Sequence, residues 1–244
     1  MVSTGSTVKF AALDCVSSLK TVGIIVVTEN LSLFPIFRGT QGSVLSPLLF
    51  IMYTTPLSTL ISSLSLYHHL YADDTQLFLS FYSSDFQANI SQLQNALTHI
   101  TSWMTSNLLS INSSKTEFLL IGLKQQLSKI HNSSTSIDTT QSASNLGFIF
   151  DEHLSFSDQI SALSKSCYHV IRALCCIRPY LDLHTAKPVA TSNLHSKLDY
   201  CNSLYYGLPK CQINHLQHIQ NALARTVVQA PKFKHITPIL KSLH

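Results

Sequence analysis

The chain has 244 residues, of which 45% are hydrophobic and only 11% are charged. This length is sufficient for one large domain or two small ones with a buried core. Glycine and proline are too sparse for a disordered polymer, and the charged fraction is well below the roughly one quarter usual in soluble domains. The composition therefore excludes a disordered chain and predicts a folded protein of low solubility, or a fragment of a larger one.

Charge is distributed unevenly along the chain. Residues 1–150 hold 6 Lys and Arg against 7 Asp and Glu, whereas residues 151–244 hold 10 against 5. The basic C-terminal part indicates a polyanion partner, although a solvated helical face would have the same composition. The six cysteines form no CxxC pair and no Cys/His spacing of a zinc site, so we interpret them as small buried residues in a reducing compartment.

The first elements in chain order are a strand, a loop and a helix. GIIVVT (23–28) is rich in β-branched residues, which favour a strand. RGTQGS (38–43) carries two glycines and is typical of a loop. The apolar run from Val44 to Leu64 predicts a helix, with Pro47 tolerated in its first turn.

Two adjacent aspartates, Asp73 and Asp74, follow this helix between the runs LSLYHHL and TQLFLSF, which predict a hairpin. An amphipathic helix is predicted next, within residues 83–109. SKTEFLLIG and NLGFIFD are then predicted as strands, and the polar segment 125–144 between them as a loop around a weak strand. Apolar stripes at helical spacing predict three core-forming helices after residue 155, near 160–177, 184–200 and 213–227.

The span from Gly39 to Ala72 contains no Asp, Glu, Lys or Arg and is long enough to cross a bilayer. Pro47 and Pro56 interrupt it, and polar residues are spread through it. A buried helix followed by a buried strand fits this pattern as well, and membrane association stays as an alternative.

The acidic pair, Asp73 and Asp74, is the strongest chemical feature of the sequence. Aspartate is common in turns because its side chain bonds to nearby backbone, so a surface turn is one interpretation. Between two buried strands, however, the carboxylates repel each other unless a cation or a proton intervenes. Mg²⁺ prefers one or two carboxylates plus phosphate oxygens, and a pair of such ions promotes in-line displacement at phosphorus. The pair therefore predicts a metal site for phosphoryl transfer.

The hairpin sequence YADD, preceded by GTQGSVLSPLLFIMYTTPL, resembles the reverse transcriptase of LINE-type (non-LTR) retrotransposons. The resemblance covers about residues 38–244 and continues in order through YADDTQLFLSF, WMTSNLLSINSSKTEFLLIG, NLGFIFDEHLSF, SKLDYCNSLYYGLPK, LQHIQNALARTVV and HITPILKSLH. It implies an α+β fold, in which a partial polymerase palm with an antiparallel sheet and packed helices precedes an all-helical thumb-like region. It also implies RNA-templated DNA synthesis with Mg²⁺, an RNA template, a DNA primer and deoxynucleotides as partners, and an intracellular, nuclear setting.

The resemblance assigns roles to residues that match family motifs. Asp73 and Asp74 match the aspartates that bind the catalytic metals, and Lys115 matches a lysine that protonates the leaving pyrophosphate. A solvated lysine at the start of a strand is the alternative for Lys115. The remaining matches are Tyr71 and Ala72 at the primer terminus, Gln41, Gly42 and Ser43 at the template and incoming nucleotide, and Lys165, Arg172 and Arg178 at nucleic-acid phosphates.

Departures from the family pattern divide the chain into a poorly matched N-terminal remnant (1–37), a partial palm (38–150) and a thumb-like region (151–244). The loop Gly39–Ser43 is one residue shorter than in the family and lacks its proline. The family's upstream metal-binding aspartate, on a strand like LLDLSAAFD, has only Asp14 as a poorly matching counterpart. Two metals need ligands from both the upstream strand and the hairpin that carries Asp73 and Asp74. We therefore expect a truncated copy with impaired or no polymerase activity.

Three alternatives stay open from the sequence. A non-catalytic remnant would bind nucleic acid through its basic half, with salt-sensitive affinity that does not depend on Asp73. A membrane-associated protein would use residues 39–72. Finally, the missing palm strand would leave a sheet edge open, so that the chain would not fold stably.

Overall fold

The chain forms two compact units that divide between Leu154 and Ser155. The first, the sheet unit, combines antiparallel strands with helices, and the second, the helical unit, contains helices only. The predicted α+β class is confirmed. A computed structural model describes residues 21–28, 32–33, 45–131 and 137–243.

The elements of the sheet unit follow the predicted order closely. The described strands are β1 (Thr21–Thr28), β2 (Ser32–Leu33), β3 (Tyr67–Tyr71), β4 (Asp74–Tyr82), β5 (Leu109–Ser110), β6 (Thr116–Ile121), β7 (Ser142–Asn145) and β8 (Phe148–Asp151). The described helices are α1 (Leu45–Ser63), α2 (Phe86–Ser106) and α3 (Lys124–His131). The predicted strands at β1 and β6, the acidic hairpin β3–β4, and the helices α1 and α2 are confirmed, whereas the predicted loop 38–43 lies outside the described residues.

Two predictions between Lys124 and Asp151 were wrong in detail. The polar stretch that begins with KQQLSKIH forms the helix α3, because Leu127 and Ile130 on one of its faces are buried in the core. The predicted strand NLGFIFD is divided by a turn at Leu146 and Gly147, and its two parts belong to the antiparallel hairpin β7–β8. Gly147 has φ of +77°, a conformation that glycine adopts without steric cost.

Strand β1 occupies the centre of the main sheet, whose order is β3-β4-β1-β6. It pairs antiparallel with β4 on one side and with β6 on the other. Its run of valine and isoleucine suits a strand that is buried on both faces. The sequence predicted a missing palm strand that leaves a sheet edge open, but among the described residues β1 fills the place beside β4. The prediction that the chain does not fold stably stays a prediction.

One face of the sheet carries the core of the sheet unit. Val22, Ile24 and Val26 alternate along β1 towards this face, as the two-residue period of a strand requires. Helices α1 and α2 cover the face with fully buried side chains. These include Leu57 and Ile61 from α1 and Ile90, Leu93, Ile100 and Met104 from α2.

The N-terminal half of α1 is apolar but solvent-exposed. Leu45, Leu48, Leu49, Ile51 and Met52 each retain more than half of their accessible surface. Nevertheless, across the parts of the chain for which coordinates are described, no helix is both long enough and apolar enough for a bilayer crossing.

The helical unit confirms the three predicted helices and most of their apolar stripes, although the terminal stripe residues Ile177 and Ile213 are 48% and 42% exposed. Its helices are α4 (Ser157–Ile177), α5 (Leu183–Asp199), α6 (Lys210–Val227) and the short α7 (Ile236–Leu243). Helix α4 packs against α5 and α6 through its buried stripe, which includes Ile160, Cys167 and Ile171. The prediction of buried cysteines was right for Cys167 but wrong for Cys175, Cys176 and Cys211, whose side chains are exposed.

Candidate active site

The last residue of β1 and the first residues of β4 and β6 lie at the same end of the sheet. Thr28, the last residue of β1, faces Thr75 on β4 and Thr116 on β6. Asp74 directly precedes Thr75, and Lys115 directly precedes Thr116. Neighbouring strands are about 4.8 Å apart, so β4 and β6 lie about 10 Å apart on the two sides of β1 at this end of the sheet. The fold therefore brings the acidic pair and the predicted proton donor to one end of the sheet.

The acidic turn is tightly constrained. Tyr71 pairs with Asp74 across the hairpin, which leaves only Ala72 and Asp73 in the turn. Ala72 has φ of +50°, in the left-handed region that costs an L-residue about 1–2 kcal/mol. Tyr71 and Ala72 are exposed and both aspartates are half-buried. The turn thus presents two carboxylates, one from the turn itself and one from the first residue of β4, in a fixed local geometry.

Buried polar groups lie directly behind this turn. The Gln76 side chain is fully buried, and its Nε2 donates a hydrogen bond to Asn145 Oδ1 at 2.5 Å. Three further polar atoms nearby are also buried and make no hydrogen bond within the described residues. They are Gln76 Oε1, Thr75 Oγ1 and the Nε2 of His69, which pairs with Gln76 across the hairpin. Unpaired buried polar atoms each cost about 1–3 kcal/mol, so this end of the sheet is polar instead of optimally packed. The Gln76–Asn145 pair was not predicted from the sequence, although a glutamine inside an apolar strand is a signal of such a pair.

The donor atoms at the turn fit Mg²⁺ in type. Carboxylate oxygens are the hard ligands that Mg²⁺ prefers, and it usually takes one or two of them while keeping several waters. Within residues 21–28, 45–131 and 137–243, no three His, Cys, Asp or Glu side chains group closely enough to hold a metal ion. The described carboxylates at this site therefore come from one hairpin.

Lys115 is the last residue of a 3₁₀ turn, Ser113–Lys115, that leads into β6. Its side chain is exposed, so the structure leaves both the proton-donor role and the solvated alternative available. Gln41, Gly42 and Ser43, together with Asp14, lie outside the described residues.

A second polar contact, missed by the sequence analysis, joins α1 to the edge strand β3. The Ser58 hydroxyl and His68 Nε2 are 2.6 Å apart. Burial lowers the pKa of His68 below its ordinary value; a hydrogen bond with the backbone of Leu66 opposes this shift, and the nearby His69 adds to it. The folded protein therefore favours the neutral imidazole at this position.

We expect His68 to make the stability of the chain depend on pH. Because its pKa is lower in the folded state, the unfolded state binds more protons, and the stabilising contribution is complete above the ordinary value of about 6.5. This contribution is lost as the pH falls from there towards the folded pKa. Urea unfolding between pH 5 and 8 should show a smaller pH slope in His68→Gln than in the unchanged chain. An identical slope in both proteins would contradict the assignment to His68.

The three basic residues predicted to contact phosphates differ in their surroundings. Lys165 and Arg172 are exposed on α4. Arg178 is only 8% exposed, and its Nε and Nη1 donate hydrogen bonds of 2.6 Å to the carbonyl oxygens of Val227 and Leu181. These bonds give Arg178 a structural role within the helical unit, and its contact with phosphates stays a prediction.

Comparisons with known proteins identify the family of the chain. Residues 8–150, which include β1 and the acidic hairpin, match the family described as "Reverse transcriptase (RNA-dependent DNA polymerase)". The chain is also similar to a Drosophila melanogaster protein named "Probable RNA-directed DNA polymerase from transposon BS", with 25% identity over 219 residues. That alignment covers 84% of this chain and 24% of the fly protein, so the chain spans about a quarter of the length of its curated relative.

Proposed function

The chain belongs to the reverse transcriptase (RNA-dependent DNA polymerase) family, and we propose that it derives from the LINE-type (non-LTR) retrotransposon enzyme. In this proposal residues 38–150 form the partial palm, residues 151–244 form the thumb-like region, and residues 1–37 are an N-terminal remnant that contributes β1. The substrates are an RNA template, a DNA primer and deoxynucleotides. The placement of the acidic turn and Lys115 at one end of the sheet carries the proposal.

Each site residue has a role in the proposed nucleotidyl transfer. Asp73 and Asp74 hold Mg²⁺, which when bound activates the primer 3′-hydroxyl and stabilises the leaving pyrophosphate. Lys115 donates a proton to that pyrophosphate. Tyr71 and Ala72, exposed on the hairpin, line the primer terminus. Gln41, Gly42 and Ser43 contact the template and the incoming nucleotide, and Lys165 and Arg172 contact backbone phosphates.

We further propose that polymerase activity is low. The residue of β1 that faces the hairpin end is Thr28, a neutral residue that accepts a 3.4 Å hydrogen bond from the Thr116 hydroxyl. Threonine offers no carboxylate to share a cation with Asp73 and Asp74. Carboxylates from one hairpin alone bind Mg²⁺ less firmly than a site with ligands on two strands.

Primer extension on an RNA template with Mg²⁺ tests this proposal. We expect the purified chain to extend the primer little above background. The Asp73→Asn, Asp74→Asn double variant should give the same near-background extension. In a parallel titration, the unchanged chain should bind Mn²⁺ weakly, as seen in the relaxation rate of water protons, and the double variant should lose this binding.

The two measurements separate the two parts of the proposal. Extension that depends on Asp73 and Asp74 would overturn the low activity and would indicate a further metal ligand, with Asp14 the first to replace. Equal Mn²⁺ binding by both proteins would contradict the metal site itself.

The charge of the helical unit favours a second candidate function, nucleic-acid binding without chemistry. Residues 155–244 contain ten Lys and Arg against three Asp and no Glu. Such an excess of positive charge attracts phosphates regardless of the metal site. This function predicts salt-sensitive binding of nucleic acid that the Asp73→Asn, Asp74→Asn variant retains.

A further inference from the structure

The helical unit contains a cleft of about 870 Å³ between α4, α6 and the segment that joins α6 to α7. Its lining includes Tyr168 on α4, Arg225 on α6 and Lys232 from the joining segment. We call this feature the basic cleft. None of its lining residues is an aspartate or a glutamate.

Positive charge surrounds the basic cleft without acidic compensation. The acidic residues of the helical unit are Asp158, Asp182 and Asp199, and all three lie outside the lining. Lys165 and Arg172 occupy positions three before and four after Tyr168, so they share one face of α4 with it. The Arg225 guanidinium is engaged only weakly, because its Nε and Nη2 both lie 3.4 Å from the carbonyl oxygen of Lys234.

Aromatic side chains are interleaved with these cations. Tyr168 is 45% exposed although it lines the cleft. Phe233 is 92% exposed and stands in the chain between Lys232 and Lys234. A phenylalanine left this open gains almost nothing from burial within the fold, since burying such a ring is worth about 1.5–3 kcal/mol. Exposed rings beside cations are the arrangement on which unpaired bases stack while their phosphates are neutralised.

From these observations we propose that the basic cleft binds single-stranded nucleic acid. Bases stack on Tyr168 and Phe233, while Arg225 and Lys232 neutralise the phosphates between them. A duplex would hide the faces of its bases from both rings, which is why the site selects a single strand. The inference rests on the proposed function only for the choice of a nucleic-acid partner and does not involve the metal site.

Fluorescence anisotropy with the full chain and a labelled oligo(dT) 20-mer tests the inference. Replacing both Tyr168 and Phe233 with alanine should weaken binding at least about 25-fold, because each stacked ring contributes about 5- to 150-fold in affinity. Tyr206→Ala is the matched control, since Tyr206 is 93% exposed in the same unit but, unlike Tyr168 and Phe233, neither lines the cleft nor adjoins a lining residue in the chain.

The charged residues have a separate readout. Replacing Lys232 with alanine should reduce the slope of log K against log salt by about 0.7, the value for one phosphate contact on a single strand. Lys210→Ala is the control here, because Lys210 is exposed and does not line the cleft. An equal change in both variants would show that the charge acts without regard to position and would overturn the site.

A footprint on the unsubstituted protein guards against variants that fail to fold. Cys175 lines the cleft and is exposed, whereas Cys211 is exposed outside it. Oligo(dT) should slow the alkylation of Cys175 by a maleimide while leaving that of Cys211 unchanged. An unchanged alkylation rate of Cys175 with saturating oligonucleotide, the same fractional slowing at Cys211, or equally tight binding of a 20-base-pair duplex would contradict the inference.

The outcome is distinguishable from that of the proposed function. The Asp73→Asn, Asp74→Asn variant should bind oligo(dT) as tightly as the unchanged chain does. Loss of Mn²⁺ binding with intact oligonucleotide binding would support the metal site and the cleft independently. Absence of oligonucleotide binding would refute the cleft while leaving the metal test unaffected.

Discussion

Replacing Ile25 with proline is expected to unfold the sheet unit. Ile25 lies at the middle of β1, is 4% exposed, and faces Phe78 on β4 and Leu119 on β6. Proline has no N–H for the ladder and is excluded from central strands. Loss of the isoleucine side chain alone costs about 2–5 kcal/mol, and the backbone damage adds to it. The sum approaches the total stability of a typical domain, about 5–15 kcal/mol.

Urea unfolding followed by circular dichroism measures this effect, and two milder changes at the same position separate its causes. Ile25→Val should cost about 0.5–1.5 kcal/mol and Ile25→Ala about 2–5 kcal/mol, since both keep the N–H. Only the proline variant should lose the cooperative transition. If Ile25→Pro were no less stable than Ile25→Ala, β1 would not be the central strand.

The Arg178→Ala variant is expected to lose about 3 kcal/mol or more of unfolding free energy. Arg178 donates two short hydrogen bonds to backbone carbonyls, and bonds from a charged donor contribute about 1.5–3 kcal/mol each. Its removal leaves the carbonyl oxygens of Val227 and Leu181 without this donor. Arg178→Lys keeps the charge but not the planar donor that makes two hydrogen bonds at once. Its unfolding free energy should therefore lie between those of Arg178→Ala and the unchanged chain. Urea unfolding of each variant gives the values.

Comparing Arg178→Ala with two further variants separates a structural role for Arg178 from a role in binding nucleic acid. Lys165→Ala and Arg172→Ala remove exposed charges and should change stability by less than about 0.5 kcal/mol, while each weakens oligo(dT) binding. A binding defect in Arg178→Ala without any loss of stability would show that its main contact is with phosphate. We expect the reverse.

The local elements of this fold were predictable because their signals are local. Alternating aromatic residues around an acidic turn indicate a hairpin, and apolar residues three and four apart indicate a helix. The position of β1 was not predictable, because no pattern within GIIVVT specifies that β4 and β6 are its partners. The helix α3 was missed because only two apolar residues, Leu127 and Ile130, distinguish it from a polar loop.

The same limit applied to the candidate sites. Asp73 and Asp74 are adjacent in sequence, so their proximity needed no structure. Lys115 reaches their end of the sheet only because β6 pairs beside β1, which the sequence does not reveal without the family resemblance. The basic cleft combines Tyr168 with Lys232, whose proximity depends on how the helices pack. Contacts between residues far apart in the sequence were therefore the part of both sites that could not be predicted.

The central position of β1 also determines how the protein is made. A ribosome synthesises β1 before either of its partners, and β6 begins about 90 residues after β1 ends. At about 5–20 residues per second, the strand waits roughly 5–20 seconds for that partner. Until Asp74–Tyr82 has been made, this run of isoleucine and valine has two open edges, and one edge then stays open until β6 follows. The yield of native protein in a cell should therefore depend on chaperones that shield the nascent chain until Thr116–Ile121 has emerged.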